Sequence, residues 1–423
     1  MKQAFFLVYI LCLFIAFPAG AADRSDNYGS ISDYLDSVYG MDENAGLTAF
    51  PVLNVPMGGR SEGMASAFSA VSDDISFIEY NPAGSSMLAR SEMAFFHNNW
   101  IADTKEEGAV FASRVKNLGL SGAGKWLYTP FTEYNLYGER VSKGYYSEAA
   151  AIFNISYNFL AGYYFSGISI GANLKGAFRF VPDFADEDDN IIAGSGRSQS
   201  AAMGMADIGI LTRFDLFKFY NSRERNTSAA LVARNLGPPA IDDPLPTVFC
   251  AALAYKPLRP LLFSFDFSVP LNLMEPKLSE KPFFAFGTSV AVTNFLSMRA
   301  GLLLKAGSMR FTAGSAVSLN KIALDLNYTL DLMSQMQPLN RISMGVRFDL
   351  GDQGRQLKAD RVNSLYLAGL DNYSQGRYAD AKQNWEDALD LDRYFDPARE
   401  CLRVLNNQQA IEQRIDELQR LNF

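Results

Sequence analysis

Histidine and cysteine are nearly absent from this chain, with one of the first and three of the second among 423 residues. His97 alone cannot build a multi-histidine metal site. A Ser-His-Asp hydrolase would have to draw on it with no nucleophile elbow nearby, so the sequence predicts no catalytic residue, no metal and no cofactor. Its simplest role is that of a hydrogen-bonded residue at a strand end. Cys12 follows bulky Leu11, which is wrong for lipoprotein processing, while Cys250 and Cys401 sit in differently patterned regions, so a disulfide framework is not expected. Basic clusters are missing too. The net charge is -8 and the isoelectric point near 5.0, whereas phosphate binding needs a concentrated basic face, and nucleic acid is excluded as a partner.

Other motifs are incomplete. GLSGAGKW, from Gly119 to Trp126, keeps phosphate-loop spacing up to Lys125, but Trp126 stands where a Ser or Thr must ligate magnesium. The acidic run Asp186, Glu187, Asp188, Asp189 lacks the Gly and terminal Glu of a calcium loop and reads as a solvated connection. At the amino terminus, Lys2, the apolar run AFFLVYILCLFIAF, Pro18 and small residues form a secretory signal over residues 1–21, too short to span a bilayer as a helix. Beyond it no window of about 20 residues is continuously apolar, which excludes ordinary helical spans.

What the chain does have is alternation. In KIALDLNYTLD, Ile322, Leu324, Leu326, Tyr328 and Leu330 take one face and Lys321, Ala323, Asp325, Asn327 and Thr329 the other; RISMGVRFDL repeats the rhythm. Period 2 means strands. Charges on one face need water inside the structure, and rows of Phe, Leu and Tyr on the other need an apolar exterior. A transmembrane β-barrel supplies both. Mean hydropathy of -0.04 agrees, since only alternate residues face lipid. The 32 Phe and 20 Tyr cluster in segments such as LFKFY, NFLAGYYF and KPFFAF, as interfacial girdles do.

The pattern predicts an all-β transmembrane barrel of about fourteen antiparallel strands over residues 93–350. Candidate strands run near 93–103, 107–117, 118–131, 145–158, 165–180, 200–214, 227–236, 247–256, 259–269, 282–293, 295–305, 307–318, 320–331 and 339–350. Short connections would face the periplasm and long ones the cell exterior. The last strand carries Ser343, Gly345, Phe348 and Leu350, a pattern similar to the signal by which outer-membrane assembly machinery receives its clients.

Residues 22–92 are rich in Gly, Ser, Ala and Asp and too poor in apolar residues for a separate core. Within them, GGRSEGMASAFSAVSDDISFIEYNPAG resembles the amino-terminal hatch of FadL-type outer-membrane transporters of long-chain fatty acids. The resemblance rests on Gly59-Arg60, Gly63, Ala65, Ala67, Ala70, Asp73-Asp74 and above all Asn81-Pro82-Ala83. It implies fourteen strands with the hatch folded into the lumen, and a sideways exit at a kink in the third strand. Gly119, Gly122 and Gly124, with Pro130, fit such a weakened ladder, and equally fit ordinary lumen glycines opposite a plug.

Alternation sends Arg299, Arg310, Arg341 and Arg347 inward. They could bind a ligand carboxylate, or pair with Asp325, Asp331 and Asp349. Residues 351–423 are helical and resemble one tetratricopeptide repeat in Gly369, Gly376, Tyr378, Ala381, Trp385 and Ala388, with Asn372 at a usually aromatic position and Pro397 about four residues late. Such a module would hang in the periplasm and bind a protein partner there.

The expected function is an outer-membrane channel that passes long-chain fatty acids or other hydrophobic small molecules by diffusion, with membrane lipid around it. The alternative is a barrel scaffold for exported proteins.

Overall fold

The computed structural model describes residues 42–100, 103–135, 137–185, 191–240, 243–306, 308–331 and 339–421. The expected signal over residues 1–21 and the first part of the expected hatch lie outside them.

Alternation closes into a ring. The strands are β1 (Ser91–Asn99), β2 (Lys105–Val115), β3 (Leu118–Tyr134), β4 (Arg140–Phe159), β5 (Ile168–Phe180), β6 (Ala201–Phe214), β7 (Thr227–Leu236), β8 (Val248–Leu258), β9 (Leu261–Pro270), β10 (Phe283–Ala291), β11 (Leu296–Lys305), β12 (Ser308–Leu319), β13 (Ile322–Asp331) and β14 (Leu339–Gly351). Each pairs antiparallel with its chain neighbours, and β1 closes on β14 from Ser91↔Gly351 to Asn99↔Ile342, so no strand edge is left open. On β13, Ala323, Asp325, Asn327 and Thr329 are buried within, while Ile322, Leu324, Leu326 and Tyr328 stand exposed outside. Among the described residues no helix is long and apolar enough to cross a membrane. The fold is a closed fourteen-stranded transmembrane barrel.

Its two ends differ. At one, Asn320-Lys321 joins β12 to β13 with Asn320 at φ 56, a conformation Asn tolerates in a tight turn. At the other lie the longer connections 181–200, 237–247 and 271–282. The described chain starts at this long-loop end. There Lys281 donates its backbone N–H to Asp42 Oδ2 at 2.7 Å, Asn44 Nδ2 donates to the Ser279 carbonyl at 3.2 Å, and Ala49 N to that of Pro244 at 2.8 Å. It then descends through the lumen as the hatch and leaves at the short-turn end to begin β1.

Three helices follow the barrel: α2 (Arg355–Ser374), α3 (Tyr378–Leu391) and α4 (Asp396–Leu421), after the short hatch helix α1 (Gly59–Gly63). Backbone N–H groups of Gln356 and Gly354 bind the Asp352 carboxylate at the start of α2 and hold it below the usual carboxyl range. α2 and α3 approach closely because Gly369 has no side chain; a Cβ there would sit 2.3 Å from Trp385 Nε1. Trp385 fills the module's core with Val362, Ala381, Ala388, Phe395, Ala398 and Leu405.

This module reaches turns on both sides of the ring. Arg355 donates to the Ala89 carbonyl at 2.6 Å beside β1, and Arg223 in the β6–β7 connection donates to Asn363 Oδ1 at 3.0 Å. Tyr163, in the β4–β5 connection, packs edge-on against Phe395 with centroids 5.3 Å apart. The helices therefore lie across the short-turn mouth. NFLAGYYF, expected to be girdle, is partly diverted to this anchoring. Tyr163→Ala should remove an aromatic pair worth about 0.5–1.5 kcal/mol. Hydrogen exchange in α2 and α4 should then rise several-fold while barrel amides stay unchanged; unchanged helices would disprove the anchor.

Candidate functional site

The lumen is filled by the hatch, in two lobes that the wall holds by hydrogen bonds and ion pairs. Lobe one runs from Gly58 to Val71 and sits against β7–β14; lobe two runs from Ile75 to Leu88 and sits against β2–β6. Small residues let both lobes touch the wall. A Cβ on Gly301 would fall 2.4 Å from the Ala65 nitrogen, on Gly119 2.2 Å from the Ser85 carbonyl carbon, and on Gly171 2.2 Å from the Pro82 oxygen.

Neutral hydrogen bonds and one buried ion pair, Lys125 Nζ to Glu79 Oε1 at 2.7 Å, hold lobe two. Asn154 Nδ2 donates to the Pro82 carbonyl at 2.8 Å, Asn173 Nδ2 to that of Ile78 at 3.0 Å, and Ser169 Oγ to that of Ala83 at 2.6 Å. Ser86 donates its N–H to Ser156 Oγ at 2.7 Å. Asn81 does double duty. Its Oδ1 accepts from Ala83 N at 3.0 Å, capping the turn that Pro82 starts, and its Nδ2 donates to the Ser69 carbonyl at 2.8 Å, tying the lobes together. Asn81, Pro82 and Ala83 are fully buried. The triplet is thus an anchor built into the wall.

Charges hold lobe one. Arg341 Nε donates to Glu62 Oε1 at 2.7 Å, and Arg347 Nη1 to Asp74 Oδ2, at the junction of the lobes, at 2.9 Å. The other two inward arginines stay within the wall: Arg299 Nη1 meets Asp325 Oδ1 at 2.6 Å and Arg310 Nε meets Asp331 Oδ2 at 2.7 Å. All four arginines are therefore paired with protein carboxylates, two of them on the hatch. Asp349 pairs with Arg90 instead. Glu62 Oε2 and Arg341 Nη2 are buried with no hydrogen-bond partner among the described residues, so this pair is incompletely satisfied.

The third-strand glycines divide. Gly119 faces the hatch, whereas Gly122 and Gly124 have almost nothing near them. β3 pairs with β2 from Leu118 to Tyr128 and with β4 along its whole length, so the wall is closed at all three. In the helical module, Gly369, Ala381, Trp385 and Ala388 are spent on its own core, Gly376 makes the turn before α3 at φ 76, and Tyr378 packs at a tilt against Tyr373. His97 Nδ1 lies 2.8 Å from Glu107 Oε1 near the end of β1. Among the described residues no cluster of metal-ligating side chains occurs.

Sequence reasoning missed the apolar nest at the long-loop end of the lumen. Phe50, Val52, Val55, Leu127, Ala150, Ala177, Met205 and Leu245 pack there, with Trp100 and Met203 at its edge. Phe50 is wholly buried in it at φ 57 and ψ 70, left-handed backbone that a bulky side chain adopts only under strain. The Arg179 guanidinium lies over its ring, 5.8 Å from the centroid. An apolar pocket under a cation is thus closed by a strained phenylalanine of the chain itself. No local pattern marks Phe50; its role depends on residues of β3, β4, β5 and β6, far downstream in the chain.

A family model described as an uncharacterised protein family, UPF0164, matches residues 28–353, ending where the barrel gives way to the helices. A UPF0164 protein of Treponema pallidum (strain Nichols) is 28% identical over 412 residues, covering 94% of this chain and 90% of that protein. Another from the same organism is 24% identical over 396 residues, covering 86% and 77%. Among solved structures, the CymD monoaromatic hydrocarbon channel aligns with a TM-score of 0.48 and 11% identity over 72% of this chain and 99% of that one. The Pseudomonas putida toluene transporter TodX aligns with a TM-score of 0.41 and 11% identity over 63% and 90%.

Proposed function

We propose that this chain, which belongs to the uncharacterised protein family UPF0164, is an outer-membrane channel for hydrophobic small molecules, long-chain fatty acids among them. The observation that carries the reading is the nest around Phe50. An apolar solute arriving at the long-loop end gains what Phe50 gains there, and a carboxylate on its end would meet Arg179. Displacing Phe50 also releases backbone strain, so part of the cost of opening is stored beforehand. A hydrophilic pore is disfavoured, because hatch and helices both stand in the way of water.

In this mechanism lobe two, with Asn81-Pro82-Ala83, stays as the fixed anchor and lobe one moves. The Glu62–Arg341 pair on lobe one is incompletely satisfied, and its charges can be rehydrated in an opened lumen. Because the helical module crosses the short-turn mouth, release proceeds sideways through the wall or waits for that module to lift. Sideways release at β3 requires the pairs around Gly119, Gly122 and Gly124 to part.

The test is binding and uptake of oleate and of an alkylbenzene by the full chain in proteoliposomes. Phe50→Ala should raise apparent affinity by about fivefold or more, which corresponds to about 1 kcal/mol of competition removed. A folded barrel that neither binds nor passes either probe refutes the function. Unchanged affinity in Phe50→Ala refutes the nest as the site. The scaffold reading is favoured only by the module's separate core; stoichiometric capture of one exported protein by the full chain, lost when Tyr378 and its exposed neighbours are altered, would support it.

A further inference from the structure

Outside the lumen, at the long-loop end, the wall carries a groove of about 490 Å³. Strand register builds it. Ala149 on β4 faces Phe178 on β5, which faces Ala202 on β6; one row nearer the rim, Ser147 faces Phe180. The two phenyl rings, 54% and 60% exposed, stand between small side chains and leave troughs along their flanks. Elsewhere on β5 the outward side chain has large neighbours, as Leu174 has in Phe153.

Beside this groove the described residues 181–185 and 191–200 are tied to one another by hydrogen bonds. Asp183 accepts backbone N–H bonds from Gly194 and Gly196, both at 2.9 Å. Ser200 Oγ accepts from Val181 N at 3.2 Å and donates to the Gly196 carbonyl at 2.9 Å, and Arg179 Nε donates to that of Gln199 at 3.0 Å. This folding sets Arg197, in the short helix Ser195–Ser198, on the groove. Its guanidinium has no ion-pair or hydrogen-bond partner among the described residues.

At the solvent end of the groove stands a planar cation with no partner among the described residues, the group best matched to phosphate by two parallel N–H bonds. We propose that the groove seats an anionic membrane phospholipid, with one acyl chain along Phe178 and Phe180 and the phosphate on Arg197. A zwitterionic lipid would bring its own cation toward Arg197, so the site discriminates by headgroup charge. This seat needs only the barrel in a bilayer and is independent of what passes through the lumen.

The full chain is released from mixed bilayers into mild detergent and weighed intact with its bound lipid. One phosphatidylglycerol per barrel should remain. Arg197→Ala should reduce that occupancy at least about fivefold, and Ala202→Trp, which fills the trough from the lipid side, should abolish it; Ala149→Trp replaces that variant should it fail to fold. Phosphatidylcholine should not be retained, and millimolar inorganic phosphate should not displace the lipid. Equal retention by parent and variants, equal retention of phosphatidylcholine, displacement by phosphate alone, or replacement by oleate at equal concentration would each overturn the assignment.

Discussion

Arg341→Ala should destabilise the folded barrel by about 3–5 kcal/mol, the range for a buried charge stripped of its partner. Glu62 is 1% exposed, accepts from Arg341 Nε at 2.7 Å and from Thr329 Oγ1 at 3.1 Å, and would keep only the hydroxyl. Its relief lies in moving to water, which pulls α1 and the rest of lobe one from β11–β14. The measurement is the temperature at which the unheated barrel loses its compact gel migration, together with hydrogen exchange across residues 58–71. Replacing both partners, Glu62→Gln with Arg341→Met, leaves no lone charge and should recover more than half of the loss. Parent-like behaviour of Arg341→Ala, or a double variant no better than the single one, would show that the pair does not hold the hatch.

Gly171→Leu should prevent lobe two from seating. Its Cβ would lie 2.2 Å from the Pro82 oxygen and 2.7 Å from the Ala83 nitrogen. Neither backbone group can yield, because Asn154 and Ser169 hold the adjoining carbonyls and Asn81 caps the turn. Overpacking of this kind costs about 1–3 kcal/mol even where side chains can shift, and here the obstacle is backbone, so the hatch rather than the wall should give way. The expected result is a barrel that still migrates as a folded species but admits small sugars to liposomes, which the parent excludes. Gly124→Leu is the control: it faces lipid with nothing within 4 Å and should leave the vesicles sealed. A sealed Gly171→Leu barrel, or equal leakage from the control, would refute the role given to this contact.

These two glycines show where sequence reading reached its limit. For Gly124 a weak ladder is as reasonable a reading of the sequence as a lumen glycine opposite a plug, and nothing in the sequence singles out Gly171. Parity along a strand tells which face a residue takes, but the partner at a given height depends on how the hatch threads the lumen. The same holds for the arginines. Alternation turns all four inward, yet Arg310 finds Asp331 on the adjacent strand and Arg299 reaches Asp325 two strands away, while Arg341 and Arg347 reach the hatch, in the first case across 279 residues of chain. The tetratricopeptide-like residues likewise point to a packed helical pair, but not to its lying across the barrel mouth, since Tyr163 and Arg223, which fix that position, belong to turns.

The sequence by itself determined the number of strands, the face each residue takes and the closed apolar exterior, because a period of two is a local property and a bilayer tolerates no open edge. Tertiary structure alone decided which wall charges reach the hatch, that Phe50 occupies the apolar nest, and which outward rows leave a groove. Those depend on register summed around fourteen pairings and on the path of a threaded segment, quantities that no stretch of neighbouring residues encodes.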